Sequence, residues 1–357
     1  MNKVIVGMSG GVDSSVAASV LIKKGYNVEG LFMKNWEEDS EFCSSQQDFK
    51  DALQVCDKLN ITLHSANFAK EYWERVFKHF INEYKIGRTP NPDILCNTEI
   101  KFKEFLKYAI DIGADKIATG HYAQRQTDGD NYLLKMGRDR NKDQSYFLYG
   151  LNQEQISKAM FPIGDLDKTS VRNKAKELGF RNFKKKDSVG ICFIGKRNMK
   201  EFLKDYIPPN PGDIITDKGE LVGKHDGLMY YTIGQRKGLG IGGGFSNADG
   251  AWYVINKDIQ NNELIVVQGL NNSALYHRYI EASGLHWIID RIPQKDNLMA
   301  RIRYRGKNHD CKILGICDDK ISIKLKKSCF GIASGQSVVF YDGDICLGGA
   351  IIESYSN

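Results

Sequence analysis

Apolar and polar positions follow two different rhythms along this chain, and the change of rhythm divides it. In the first half, short β-branched runs are separated by stretches of helical period. Val4-Ile5-Val6 is the first such run, and Val12, Val16 and Val20, with Ala17 and Leu21 beside them, follow at helical spacing. Val28 to Met33 predicts a second strand, Phe49, Ala52, Leu53, Cys56 and Leu59 a helix, and Ile61 to Ser65 a third strand. The strongest helical stripe is Trp73, Val76, Phe77, Phe80, Ile81 and Tyr84. Phe102, Phe105, Leu106 and Ala109 predict another helix, starting near Asn97, and Asp115 to Thr119 predicts a further strand. Strands alternating with helices imply a parallel sheet covered on both faces, with ligands at the carboxyl ends of its strands.

Beyond Pro208-Pro209-Asn210-Pro211-Gly212-Asp213 the helical period largely disappears. Ile214 to Thr216, Leu221 to Gly223, Trp252 to Ile255 and Leu264 to Val267 read as short strands, and the glycine-rich run from Gly238 to Gly244 as a flexible connector. From about Ala274 the pattern is all-β. Ala300, Ile302 and Tyr304 alternate with Arg301, Arg303 and Arg305, and Val338 to Phe340 with Ile345 to Leu347 form a closing hairpin. Three domains follow: an α/β domain over residues 1–207, a small β-rich domain over 208–273, and a β-barrel over 274–357.

Composition narrows the class. With 357 residues, 41% hydrophobic and 26% charged, this is an ordinary soluble chain long enough for two or three domains. No run is apolar enough to span a bilayer and no targeting segment precedes the first strand, so a cytoplasmic protein without a membrane partner is expected. The net charge of +6 permits a polyanionic partner. Eight cysteines are scattered without a C-x-x-C pair, which argues against a side-chain metal site and leaves most of them as reduced, buried hydrophobes.

Four stretches carry candidate chemistry. Between the first strand and first helix lies Ser9-Gly10-Gly11-Val12-Asp13-Ser14-Ser15, a turn that aims unpaired N–H groups at one point and admits an anion to the backbone. No Lys-Ser/Thr follows the glycines and no G-x-G-x-x-G is present. Asp13 would repel a phosphate unless a magnesium ion lay between them. An ordinary tight turn is the competing reading, and the flanking serines weigh against it. The motif resembles that of the ATP pyrophosphatases. In the second stretch, Gly87 to Asn97, two prolines stiffen a loop bearing Asp93, and Cys96 stands where a helix N-terminus would favour thiolate. A buried structural cysteine explains the same residues equally well. The third, Gly120-His121-Tyr122, falls at a strand's carboxyl end. The fourth, Ser188 to Gly195, brackets Cys192 with glycines just past Lys184-Lys185-Lys186. Arginines interleaved with tyrosine at 301–305, and the polar-then-aromatic run from Asn141 to Phe147, suit RNA phosphates and bases; solvated surface is the bland alternative for both.

Taken together, S-G-G-V-D-S-S, P-N-P-D-I-L-C-N, G-H-Y, K-D-Q-S-Y-F-L, G-I-C-F-I-G, G-Q-R-K-G-L-G-I-G and the closing Y-D-G-D-I-C-L-G-G-A-I-I-E resemble, in order and over essentially the whole chain, the bacterial tRNA-specific 2-thiouridylases. Lys196 and Met199 depart from the residues usual there, outside the positions that carry chemistry. The resemblance implies an ATP pyrophosphatase domain (adenine nucleotide α-hydrolase-like), a small mostly-β central domain and a tRNA-gripping β-barrel. It implies ATP, with magnesium, over Gly7, Met8, Ser9, Gly10, Gly11, Val12, Asp13 and Ser14, with Met33 and Gly120 near the adenosine. It further implies adenylation of a uridine O2, a persulfide on Cys192 charged by a sulfur-donor protein, Cys96 as the second thiol, a Cys96–Cys192 disulfide, and Asp93 as acid/base. Implied tRNA contacts are Asn91, Pro92, Asp93, His121, Lys142, Asp143, Gln144, Arg303, Tyr304 and Gln336. An amidating synthetase would share the phosphate loop but gives no reason for two thiols. A non-catalytic tRNA-binding protein would not need Asp13 in the cradle.

Overall fold

The computed structural model describes residues 2–36, 45–186, 198–242, 250–289, 291–293, 295 and 297–357. Its first sheet is parallel. Strands β1 (Lys3–Gly7), β2 (Asn27–Lys34), β3 (Leu63–Asn67) and β4 (Lys116–Ala118) pair in the order β3-β2-β1-β4, and a short edge strand, Ala159–Met160, completes it. The β3 strand begins two residues later than its apolar run suggested. Successive residues of β1 feed opposite layers: Ile5 packs with Leu31, Phe77, Phe105 and Ile117, while Val4 and Val6 pack with Val16, Leu21 and Phe32. This two-sided burial is what the β-branched runs encode. Helix α1 (Val12–Lys23) follows β1 directly, and α2 (Ser45–Leu59) lies between β2 and β3.

The striped helix runs from Ala69–Tyr72 through a π-wound turn, Trp73–Phe77, into Lys78–Lys85. Its stripe is buried except for Trp73, which leans on Trp36 with ring centroids 5.5 Å apart. The next helix starts earlier than its apolar residues indicate: Pro92–Leu95 is its first turn, π winding spans Cys96–Glu104, and Phe105–Asp111 ends it.

A hairpin turning at Asp128–Asn131 joins β5 (Ala123–Asp128) and β6 (Asn131–Met136) and belongs to a different sheet from its neighbours. Six strands of the carboxyl-terminal region close an antiparallel barrel: β7 (Tyr276–Trp287), β8 (Asn297–Arg301), β9 (His309–Cys317), β10 (Lys320–Phe330), β11 (Ser337–Asp342) and β12 (Ile345–Ser356). Closure comes from β7, which pairs with both β10 and β12. Strand β12 then also pairs with β6, Cys346 opposite Leu134. Between these bodies a four-stranded sheet, Gly212–Thr216, Leu221–His225, Trp252–Asp258 and Glu263–Gln268, encloses a small core. Leu239 is buried in that core, so this part of the glycine-rich run is packed rather than a free connector.

Candidate active site

The turn after β1 has the shape an anion site needs. Gly10 takes φ +70°, and a Cβ there would lie 2.2 Å from the Asp48 carbonyl oxygen, so no side chain fits. Gly11 opens α1 in extended conformation and no side chain caps the helix, which leaves its first N–H groups to a ligand. The Ser14 hydroxyl, 3.3 Å from that of Ser9, donates to the Gly11 carbonyl. Behind the turn, Asn182 donates to the Gly10 carbonyl and to Ser15, and Lys185 reaches the same carbonyl while pairing with Asp48 and Asp51. The middle lysine of the basic cluster therefore braces the loop and is not simply solvated. Met8 is buried, and the Met33 methyl lies against Gly7.

Asp13 stands at the mouth of the cradle, and its charge is already answered. The Lys168 ammonium lies 2.8 Å from both carboxylate oxygens, with the Lys168 side chain 12% exposed, and the Tyr122 hydroxyl donates to Oδ1 at 2.8 Å. Sequence reasoning missed Lys168. It occupies the first turn of the helix Lys168–Glu177, where a cation opposes the helix dipole; that misplacement was the available signal.

Gly120 and His121 link the cradle to the thiol helix. A Cβ on Gly120 would meet the Ser14 nitrogen at 2.7 Å, while the next residue's ring lies 6.0 Å from Phe102, six positions past Cys96. His121 is buried and its Nδ1 lies 2.8 Å from the Thr119 hydroxyl. Burial, with nearby Lys101, holds its pKa well below the usual histidine value, so the ring is neutral. Asp93 is pushed the other way: burial raises its carboxyl pKa, and Lys101 partly offsets this. Lys101 is thus a second cation of the site that the sequence did not reveal.

Cys96 corrects an expectation. It is not at a helix N-terminus, because Asn91 accepts from the Asp93 N–H and Pro92 starts the helix four residues before the thiol. Cys96 is 1% exposed and opens the π-wound segment, a winding frequent at functional sites. Cys192, and with it the expected pairing of the two thiols, lies outside the described residues, as does Cys43.

The implied tRNA contacts are spread over several places. Asn91 and Pro92 line a cavity with Gly335 and Ser337 where the loop meets the barrel, and the Gln336 amide donates to the Thr89 carbonyl at 2.7 Å. Tyr304 packs on Phe147, centroids 4.4 Å apart, and Arg303 donates to the Phe330 carbonyl. Gln144 exchanges hydrogen bonds with the Tyr122 backbone, beside the partly exposed neighbour Lys142. The Asp143 side chain is different. It is 0% exposed and pairs with Arg301 at 2.7 Å while accepting from Gly137 and Ser145, so only its backbone remains for an RNA. Arg301 is likewise no outward-facing phosphate contact: strand β8 ends there, and the amino-terminal domain covers that face of the barrel. Among the described residues no cluster of three metal-ligating side chains exists, and no helix is long and apolar enough to cross a membrane.

Three family models match in succession: a tRNA methyl transferase HUP domain over residues 2–196, a tRNA methyl transferase PRC-barrel domain over 200–268, and an aminomethyltransferase β-barrel domain over 277–352. Curated relatives cover nearly the full length. The tRNA-specific 2-thiouridylase MnmA of Actinobacillus pleuropneumoniae serotype 3 is 55% identical over 98% of this chain and 91% of its own. The MnmA of Haemophilus influenzae strain 86-028NP is 55% identical over 98% of this chain and 92% of its own. The chain belongs to the tRNA-specific 2-thiouridylase family. Membership accords with the architecture of parallel-sheet domain, central β domain and closed barrel. A solved U34-tRNA thiolase, NcsA from Methanococcus maripaludis, is 17% identical, covers 58% of this chain and 67% of its own, and has a TM-score of 0.36, too low to bear on the argument.

Proposed function

We propose that this protein places sulfur at C2 of the wobble uridine of tRNA, using ATP to activate the O2 oxygen. The observation that best supports this reading is the Gly120–His121 step, which sets the anion cradle and the helix of Cys96 side by side. Family membership supports the same reaction.

The uncapped start of α1, with Gly7 to Ser14, receives the phosphates of ATP, and Met33 and Gly120 flank the adenosine. Lys168 offers its cation at the cradle mouth, and Asp13 is the carboxylate that would hold magnesium brought by the triphosphate, which would supply further charge neutralisation there. The uridine O2 attacks the α-phosphorus, pyrophosphate leaves, and the O2–AMP ester makes that oxygen a leaving group. A sulfur-donor protein charges Cys192 with a persulfide, whose terminal sulfur adds at C2 as AMP departs. The Cys96 thiolate attacks the inner sulfur, breaking the S–S bond and leaving 2-thiouridine and a Cys96–Cys192 disulfide. Asp93, its pKa raised by burial, holds or releases the proton these steps move. Asn91, Pro92, His121, Lys142, Gln144, Arg303, Tyr304 and Gln336 position the tRNA, and the reaction takes place in the cytoplasm.

The family-model descriptions speak of methyl transfer, whereas the full-length relatives are named for thiolation. The relatives weigh more, and methyl transfer has no use for an anion cradle joined to a thiol helix. Incubation with tRNA, ATP and a persulfide donor, followed by nucleoside mass spectrometry, tests the choice. A mass gain from oxygen-to-sulfur exchange with AMP and pyrophosphate release is expected; ADP as product, or a methyl gain instead, overturns it.

A further inference from the structure

The stretch that carries Asp93 and Cys96 packs Ile94 and Cys96 into the core of its own domain, but its base is gripped by the other two domains. At its start, the Arg88 guanidinium grips the barrel residue Glu353 with two nitrogens, at 2.7 and 3.1 Å, while its Nε lies 2.8 Å from Glu83 of the striped helix. Both backbone groups of Thr89 are then taken by the barrel: its N–H donates to the Ser334 carbonyl at 2.9 Å and its carbonyl accepts from Gln336. The fit is close enough that a Cβ on Gly335, at φ +88°, would sit 2.9 Å from the Thr89 nitrogen. The central domain adds Lys257, which donates to the Gly87 carbonyl, and Thr232, which meets the Thr89 hydroxyl. At the far end Asn97 donates to the Phe147 carbonyl, and Phe147 rests on the barrel's Tyr304.

Between the clamp and the thiol lie two prolines and the Asn91 cap, so the segment moves as a stiff arm. Between the arm and the barrel is a cavity of about 60 Å³, lined by Pro90, Pro92 and Ile94 on one side and Gly335, Ser337 and Ile351 on the other.

We propose that Arg88 is a positioning residue: its fork onto Glu353 fixes the Asp93–Cys96 arm to the barrel, so that a tRNA seated on the barrel presents its uridine in register with the thiol. This rests on the thiolation reading above. Arg88 acts here through its grip on Glu353 and not on substrate, so its removal should leave affinities intact and lower turnover. Misplacement by about 1 Å can cost on the order of 100-fold in rate.

The test compares wild type, Arg88→Ala, Arg88→Lys, Arg88→Glu, Glu353→Arg and the Arg88→Glu/Glu353→Arg reversal. Single-turnover thiolation, tRNA and ATP dissociation constants and thermal midpoints are measured for each. Arg88→Ala should lose roughly 10- to 100-fold in the thiolation rate with both dissociation constants within about twofold. Arg88→Lys, which keeps the charge without the fork, should fall between. The double reversal should recover most of the loss of either reversed single. A full thiolation rate in Arg88→Ala, a loss confined to tRNA or ATP affinity, or a reversal that restores nothing overturns the proposal. Should Arg88→Ala prove unfolded, a fully active Arg88→Lys overturns it as well. If wild type itself transfers no sulfur, it is the thiolation reading that falls.

Discussion

The nucleotide cradle and the thiol arm sit side by side, yet they are built in opposite ways. The cradle is mostly local: a left-handed glycine, serines within six residues and the start of one helix define it, with Asn182 and Lys185 behind. The arm is mostly remote, its base held by residues 265 and 247 positions away. On the proposed function, local geometry suits a ligand common to many enzymes, since the cradle would need only ATP. On the same reading the arm would meet a uridine delivered by a macromolecule resting on another domain, which accounts for its taking its coordinates from that domain.

The largest effects should separate the two. Gly10→Ala forces a methyl into the Asp48 carbonyl and should abolish ATP binding by calorimetry while tRNA binding persists. Cys96→Ser should do the reverse, abolishing sulfur transfer while ATP and tRNA still bind. Loss of ATP binding in Cys96→Ser would show the regions to be one unit. Next in size, Asp143→Ala leaves the Arg301 guanidinium buried without its carboxylate, at a cost of about 3–5 kcal/mol in urea unfolding. A change below about 1 kcal/mol would mean that the pair is not what joins barrel to α/β domain.

A separate, pH-dependent effect concerns the central domain's hold on the arm. Burial lowers the Lys257 pKa from 10.5 to about 7. Between those values the unfolded chain binds the extra proton, so this group's contribution to stability is complete above about pH 10.5. It declines as pH falls towards 7 and is constant below. The advantage of Lys257→Met over wild type should therefore grow from about pH 10 to about pH 7 and then level off, read as urea midpoints. A difference independent of pH would place the ammonium in water.

Periodicity revealed which residues share a face, but not what covers that face. Ala300 and Ile302 point into the barrel as their alternation requires. Arg301 points out of it, and is buried all the same because another domain lies there. Asp143, expected as a tRNA contact on a polar loop, is buried for the same reason: its partner stands 158 residues further on. The helix of Cys96 was misplaced by a different error. Its apolar stripe begins at Phe102, but the Asn91 cap and Pro92 set the true start, and terminal chemistry outranks the stripe. The parallel sheet, the cradle and the closed barrel were legible because each is written in contiguous, repeating positions.

Hairpin β5–β6 comes from the first domain's stretch of chain but completes its hydrogen bonding on β12 of the last. The two halves are therefore not separable parts. A fragment ending near residue 207 would carry β6 with an open edge, and Leu134 would lose the cover that Tyr341 and Cys346 give it from the barrel side. An open strand edge beside exposed apolar side chains is a template for pairing with another chain. The amino-terminal fragment should thus self-associate when produced alone. The barrel, whose ring closes through β7, would expose only the short stretch Ile345–Cys346 that pairs with β6.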